Sequence, residues 1–240
     1  MSRRTSHHTK LPEGRLHRDI GTIDERKKRS QDIFSHLKTF IPREEATIVL
    51  RYHNPWELLV AVILSAQCTD KKVNEVTMTL FKKYPTLDSY VHANPRIFEQ
   101  DIFSTGFYRN KTKHILASAG IVHEQFLGEV PRTMKEMLTL PGVSRKTANV
   151  VLGNAYGVVE GIAVDTHVRR LARLWQLTNE WDPKKIEQDL MEIIPKKDWL
   201  HGTYYIVEYG RRYCPAIKKD HRNCPLVEFE IENNGYKRRK

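Results

Sequence analysis

Apolar residues along this chain recur three and four positions apart, the spacing that gathers them on one face of an α-helix. Leu58, Leu59, Val62 and Ile63 form the first such stripe. Asn54-Pro55-Trp56 ahead of them reads as N-cap, proline at the first helical position and first apolar residue. Thr69 or Asp70 caps a second helix reaching about Tyr84, and residues 110–124 make another. Thr133 to Glu136 has the capping-box pattern. Ser144 can cap a helix that carries Lys146, and Asp165 or Thr166 caps the next, with Val168, Leu171, Ala172 and Trp175 on its apolar face. Asp182-Pro183 opens a helix to about Ile194. No stretch alternates with period two for long enough to predict a sheet. The expected fold is all-α, many short helices with short connections.

Residues 1–27 are polar with little periodicity and read as a flexible basic tail, and residues 233–240 read as another. No repeat of about 20–50 residues is visible. The 240 residues carry 40 Lys and Arg against 29 Asp and Glu, a net charge of +11. Such an excess points to nucleic acid or another polyanion, although solubility alone can also call for charge. No apolar run approaches the ~18 residues of a membrane span, so no membrane partner is expected. Residues 1–30 lack the apolar stretch of a secretory signal, while Arg3-Arg4 and Arg26-Lys27-Lys28 leave a nuclear or organellar address open. Three cysteines, Cys68, Cys214 and Cys224, are too few for a disulfide framework and fit a reducing compartment. The expectation is an intracellular protein, in the cytoplasm or nucleoid of a prokaryote or the nucleus of a eukaryote.

Chemistry concentrates at Leu140-Pro141-Gly142-Val143-Ser144-Arg145-Lys146, followed nineteen positions after the lysine by Asp165. A helix–hairpin–helix over about residues 136–156 would present backbone N–H groups to a DNA phosphate without reading bases. Pro-Gly is also common in ordinary helix connections; Arg145, Lys146 and the basic charge tilt the balance toward phosphate. A lysine there can be a nucleophile once it loses its proton, or only a phosphate contact. The helix N-terminus and Arg145 would favour the neutral amine, and a close Asp165 the charged one. Asp165 can equally be a plain N-cap.

Leu140 to Val151, with Ile162-Ala163-Val164-Asp165-Thr166-His167, closely resembles the endonuclease III family of DNA glycosylases. Pro55 to Asp70 looks like that family's first core helix and DNA-inserting loop, and Gly106-Phe107-Tyr108-Arg109-Asn110-Lys111 like its second inserting loop. The likeness runs in order over roughly residues 30 to 230.

The resemblance implies that Lys146 attacks C1′ of the damaged nucleotide and that Asp165 assists departure of the base and steadies the cationic sugar. It implies that Gln67 fills the gap left by the flipped base and Phe107 wedges the opposite strand, where many relatives carry an aliphatic residue. His167 and Asp70 match positions near the DNA or the base. Leu140, Gly142, Ser144 and Arg145 fall on the hairpin that would hold DNA. The fold implied is two helical domains with DNA in the cleft between them: residues 48–158, and residues 28–47 joined with 159–232. The activity implied is a glycosylase with abasic-site lyase activity on oxidised or ring-saturated pyrimidines in duplex DNA, acting as a monomer. Two rivals remain, a monofunctional mismatch or deaminated-base glycosylase, which usually lacks the lysine, and a non-catalytic DNA-binding protein.

Two departures from the family stand out. Many members hold a [4Fe–4S] cluster by Cys-x6-Cys-x2-Cys-x5-Cys; from Cys214 that spacing lands on His221, Cys224 and Glu230. Four thiolates normally hold such a cluster, so none is expected and no cofactor is implied. Cys214, His221, Cys224 and Glu230 could in principle take zinc, or form a metal-free basic loop. Ser144 stands where many such hairpins have glycine, and as a helix N-cap it needs no strained backbone.

Overall fold

The computed structural model describes residues 19–217 and 223–230. Among these residues there are eleven α-helices, three short 3-10 turns and no strand. The helices are α1 (Ile23–Phe40), α2 (Pro55–Leu64), α3 (Asp70–Lys83), α4 (Leu87–Val91), α5 (Pro95–Asp101), α6 (Tyr108–Gln125), α7 (Met134–Met137), α8 (Arg145–Tyr156), α9 (Thr166–Leu174), α10 (Pro183–Ile193) and α11 (Trp199–Arg212). No helix among the described residues is long and apolar enough to cross a membrane.

The chain divides into two compact units. One is the continuous stretch Thr47–Ala163, and the other joins the residues up to Ala46 to those from Val164 onward. Residues 159–163 fall to the continuous unit rather than to the second. Gly157, at φ 66°, does end α8, and the Val158 N–H returns to the Leu152 carbonyl at 3.1 Å. Ending a helix is not leaving the unit, however: the chain stays with it as far as Ile162 and Ala163, both buried.

That core is built around α2. Asn54 Oδ1 accepts the Glu57 N–H at 2.9 Å and Pro55 opens the helix, as expected. Its burial goes beyond one stripe, because every residue from Trp56 to Leu64 is buried. A helix apolar all round belongs inside, and here α3, α6 and α8 pack against it. Each Leu, Val or Ile side chain so buried contributes roughly 1.5–3 kcal/mol.

In the second unit α1 packs against α10 and α11, and α9 against α11. The start of α1 corrects the tail predicted over residues 1–27. The Thr22 hydroxyl accepts the Glu25 N–H, and the Glu25 carboxylate accepts the Thr22 N–H at 2.7 Å. Thr22-Ile23-Asp24-Glu25 is therefore a capping box inside a segment that seemed too polar for structure. Residues 1–18 and 233–240 lie outside the described residues.

The predicted hairpin joins α7 to α8. The Val143 N–H donates to the Leu140 carbonyl at 3.1 Å, with Pro141 and Gly142 between them. Gly142 has φ 77°, so the turn has a type II pattern that suits glycine at this position. The Ser118 hydroxyl donates to the Pro141 carbonyl at 3.0 Å and pins the turn to α6. A Cβ on Gly142 would lie 2.8 Å from three atoms of His114, also on α6. Ser144 sits at φ −86° and its hydroxyl accepts the Thr147 N–H at 3.2 Å, an unstrained N-cap.

Gly142→Ala should therefore cost about 1–3 kcal/mol in urea unfolding from the left-handed backbone alone, with a further steric part from His114. In a double-mutant cycle, His114→Ala should make Gly142→Ala cheaper without abolishing its cost. Equal stability of wild type and Gly142→Ala would contradict this account of the turn.

Candidate active site

Within the continuous unit, the hairpin delivers Lys146 to the first turn of α8, where the side chain is exposed. Helix first turns direct N–H groups outward along the axis and carry a positive partial charge. Ser144 takes the Thr147 N–H, and Arg145, half-buried, precedes the lysine. Gly142 and Ser144 are exposed on the same turn. Leu140 is different: its side chain is 2 % exposed and belongs to the core. Of the hairpin residues expected to touch DNA, Leu140 can do so only through its backbone.

Gln67 and Phe107 lie on two loops of the same unit. Gln67 is exposed in the turn between α2 and α3 and has φ 54°. Phe107, just before α6, has φ 48° and is 61 % exposed. Non-glycine residues adopt the left-handed region only at a cost, and such positions cluster where side chains are being aimed. Phe107 is thus a projecting aromatic, not a core one. Asp70 is the first residue of α3, whose N-cap Thr69 accepts the Lys72 N–H at 3.3 Å; a carboxylate there also suits the helix dipole.

The second unit carries Asp165 and His167. Asp165 is the N-cap of α9: its Oδ1 accepts the Val168 N–H at 2.8 Å. Oδ2 has no hydrogen-bond partner among the described residues, so capping occupies half the carboxylate and leaves half for chemistry. His167 packs on Gly210 of α11, where a Cβ would come within 2.5 Å of its Nδ1. That burial holds the imidazole below its ordinary pKa; Asp165 pulls it up, Arg211 and Arg170 push it down, and Glu208 pulls it up. The ring is therefore neutral at pH 7 and can accept as well as donate a hydrogen bond.

One residue that sequence patterning passed over is Lys111. It is 4 % exposed, and its ammonium donates to the Leu64 carbonyl and to the Thr105 carbonyl, each at 2.8 Å. Burial pushes this lysine below its usual pKa, and Cys68 acts in the opposite direction. A signal existed: Lys111, Ile115, Ser118, Ala119 and Val122 share the buried face of α6, so a lysine stands in an inward stripe.

The cysteine region also belongs to the second unit. Cys214 and Cys224 are buried, and their sulfurs lie with a carboxylate oxygen of Glu230 within 4.8 Å of one another. The Cys214 sulfur accepts from Arg170 at 3.3 Å, and its thiol lies 3.8 Å from Glu230 Oε1. Burial raises that thiol's pKa to about 12 against the pull of Arg170, so it is protonated at neutral pH. The Cys224 thiol donates to the Tyr213 carbonyl at 3.3 Å. His221 lies outside the described residues. Two hydrogen-bonded thiols and a carboxylate are not the four thiolates that a [4Fe–4S] cluster takes, and the donor set does not fit that group.

The profile of the HhH-GPD superfamily of base excision DNA repair proteins matches residues 60–196. The chain is 47 % identical to the endonuclease III of Synechocystis sp. over 204 residues, covering 85 % of this chain and 92 % of that protein. It is 44 % identical to the endonuclease III of Bacillus subtilis over 200 residues, covering 83 % and 89 %. A solved trapped endonuclease III–DNA covalent intermediate superposes with a TM-score of 0.81 at 41 % identity, covering 86 % of this chain and 96 % of that one. Profile, relatives and fold agree, and the chain belongs to the endonuclease III family of HhH-GPD base excision DNA repair proteins.

Proposed function

We infer that this chain is a base-excision-repair DNA glycosylase with abasic-site lyase activity, and that its substrates are oxidised or ring-saturated pyrimidines in duplex DNA. The observation that carries the chemistry is an exposed lysine in the first turn of the helix just after a Pro-Gly hairpin. Residues of the two units have separate tasks in this scheme.

A base stacked in a duplex cannot be attacked, so the nucleotide must first be flipped out, at a cost of a few kcal/mol. Gln67 and Phe107 supply side chains that fill the space it leaves. Gly142, Ser144 and Arg145 hold the backbone phosphate near the hairpin. The deprotonated Nζ of Lys146 then donates its lone pair to C1′, the bond from C1′ to the base nitrogen breaks, and the base leaves with that electron pair and takes up a proton. The Asp165 carboxylate steadies the positive charge on the sugar as this happens. Loss of a second proton from nitrogen and opening of the sugar ring give an imine between Lys146 and C1′. The imine acidifies C2′; removal of a C2′ proton breaks the C3′–O bond and releases the strand bearing the 5′ phosphate. Hydrolysis of the imine returns the free lysine. His167 and Asp70 serve as polar neighbours of the DNA or base. The scheme needs no cofactor, and the enzyme works without an iron–sulfur cluster, as a monomer on DNA within the cell.

A panel of duplexes, each holding one defined lesion, tests this reading. Wild type should excise an oxidised pyrimidine and nick the strand, and Lys146→Ala should lose nicking by orders of magnitude. Asp165→Asn should lose turnover but keep duplex binding, because asparagine remains a good N-cap for α9. Nicking by Lys146→Ala at the wild-type rate would sink the lysine mechanism. Salt-sensitive binding without product for wild type would favour a non-catalytic DNA-binding protein.

Purified under anaerobic conditions, the protein should be colourless and hold no stoichiometric iron. A visible iron–sulfur absorption band with matching iron content would contradict the assignment.

A further inference from the structure

Lys111 stands in an unusual place. A lysine on the inward face of a helix carries its charge into a region where an unpartnered ammonium would be very costly. Its hydrogen bonds explain how it is tolerated: the ammonium donates to the carbonyls of Leu64 and Thr105, each at 2.8 Å. Leu64 is the last residue of α2, where carbonyls lack helical partners and the dipole is negative. Thr105 ends the 3-10 turn Phe103–Thr105 and is itself buried, its hydroxyl bonded to the Ile102 carbonyl at 2.8 Å.

The residues just beyond the two carbonyls matter more. Gln67 comes three residues after Leu64, and Phe107 two residues after Thr105. Both are exposed and both hold a left-handed backbone, which is costly for a residue with a side chain and persists only when the surroundings over-determine it. A lysine needed only to cap α2 would have no use for the second loop. One ammonium instead fastens the roots of both projecting loops.

We propose that Lys111 is a positioning residue that holds the Gln67 and Phe107 loops in one fixed relation, so that both side chains enter the duplex together. This inference rests on the proposed role of those two residues in base flipping. Lys111 touches neither substrate nor reacting atoms in this scheme. Its contribution falls on the opening of a paired base and not on the chemistry at Lys146.

The test uses the full chain and compares two substrates under single-turnover conditions. One is a duplex with a lesion in a normal pair, which must be opened; the other is an abasic site in a flexible single strand, trapped with borohydride. Lys111→Met should slow excision from the paired duplex by about tenfold or more while trapping at the single-stranded abasic site stays near wild type. Lys111→Arg, which keeps a charged donor able to reach two carbonyls, should restore much of the difference. Should Lys111→Met fail to fold, Lys111→Gln keeps one donor group without the same reach and takes the same comparison. Equal losses on both substrates, or an unchanged ratio between them with only lower stability, would overturn the proposal and leave Lys111 a plain core residue. Gln67→Ala/Phe107→Ala separates the two levels. If that variant leaves the ratio at the wild-type value, the loops' role fails and the clamp fails with it. If it shifts the ratio and the Lys111 variants do not, only the clamp fails.

Discussion

The turn at Gly142 is the constraint on which the rest of the site depends. Its positive φ lets the chain turn after Pro141 and re-enter a helix at Arg145, and the missing Cβ lets the turn sit directly on His114. The Ser118 hydroxyl then ties the Pro141 carbonyl to α6. With the turn fixed on both sides, Ser144 caps α8 in relaxed geometry and Lys146 falls in the first helical turn, exposed to solvent. Remove the close approach and the lysine loses its defined place at a helix end. That is a backbone effect, independent of any side chain that touches DNA.

The second unit places its two candidate residues in a similarly economical way. Asp165 starts α9 with one oxygen and keeps the other available. His167, near the start of the same helix, is held neutral because it is buried against Gly210 of α11. Secondary-structure termini thus carry both the lysine and the carboxylate, and the helices behind them are the rigid supports.

Much of this was legible in the sequence because short-range signals specify it. Asn54-Pro55, Thr69, Ser144, Asp165 and Asp182-Pro183 each announce a helix start, and each caps the helix expected. Pro141-Gly142 announces a turn that only glycine completes comfortably. What was harder to see depends on long-range packing. The total burial of α2 exceeds its amphipathic stripe because three helices surround it. The burial of Leu140 and the exposure of Phe107 depend on neighbours far away in sequence, so residue type alone could not distinguish core from probe. Lys111 could be placed only at the end of the second loop motif, because the carbonyls of Leu64 and Thr105 that hold it come from two other segments. The capping box at Thr22 was visible but overshadowed by the polar composition around it. The cysteine pattern could be read for what it lacks, while the protonated state of Cys214 arises from burial that no spacing reveals.

The central claim is that one particular amine, Lys146, becomes covalently joined to the sugar of the damaged nucleotide. The most direct measurement is peptide mapping by mass spectrometry of the borohydride-reduced adduct between the wild-type chain and a lesion duplex. The account predicts a single modified peptide spanning the hairpin, with the sugar remnant on Lys146. A remnant on the N-terminal amine or on another lysine, with Lys146 unmodified, would contradict it.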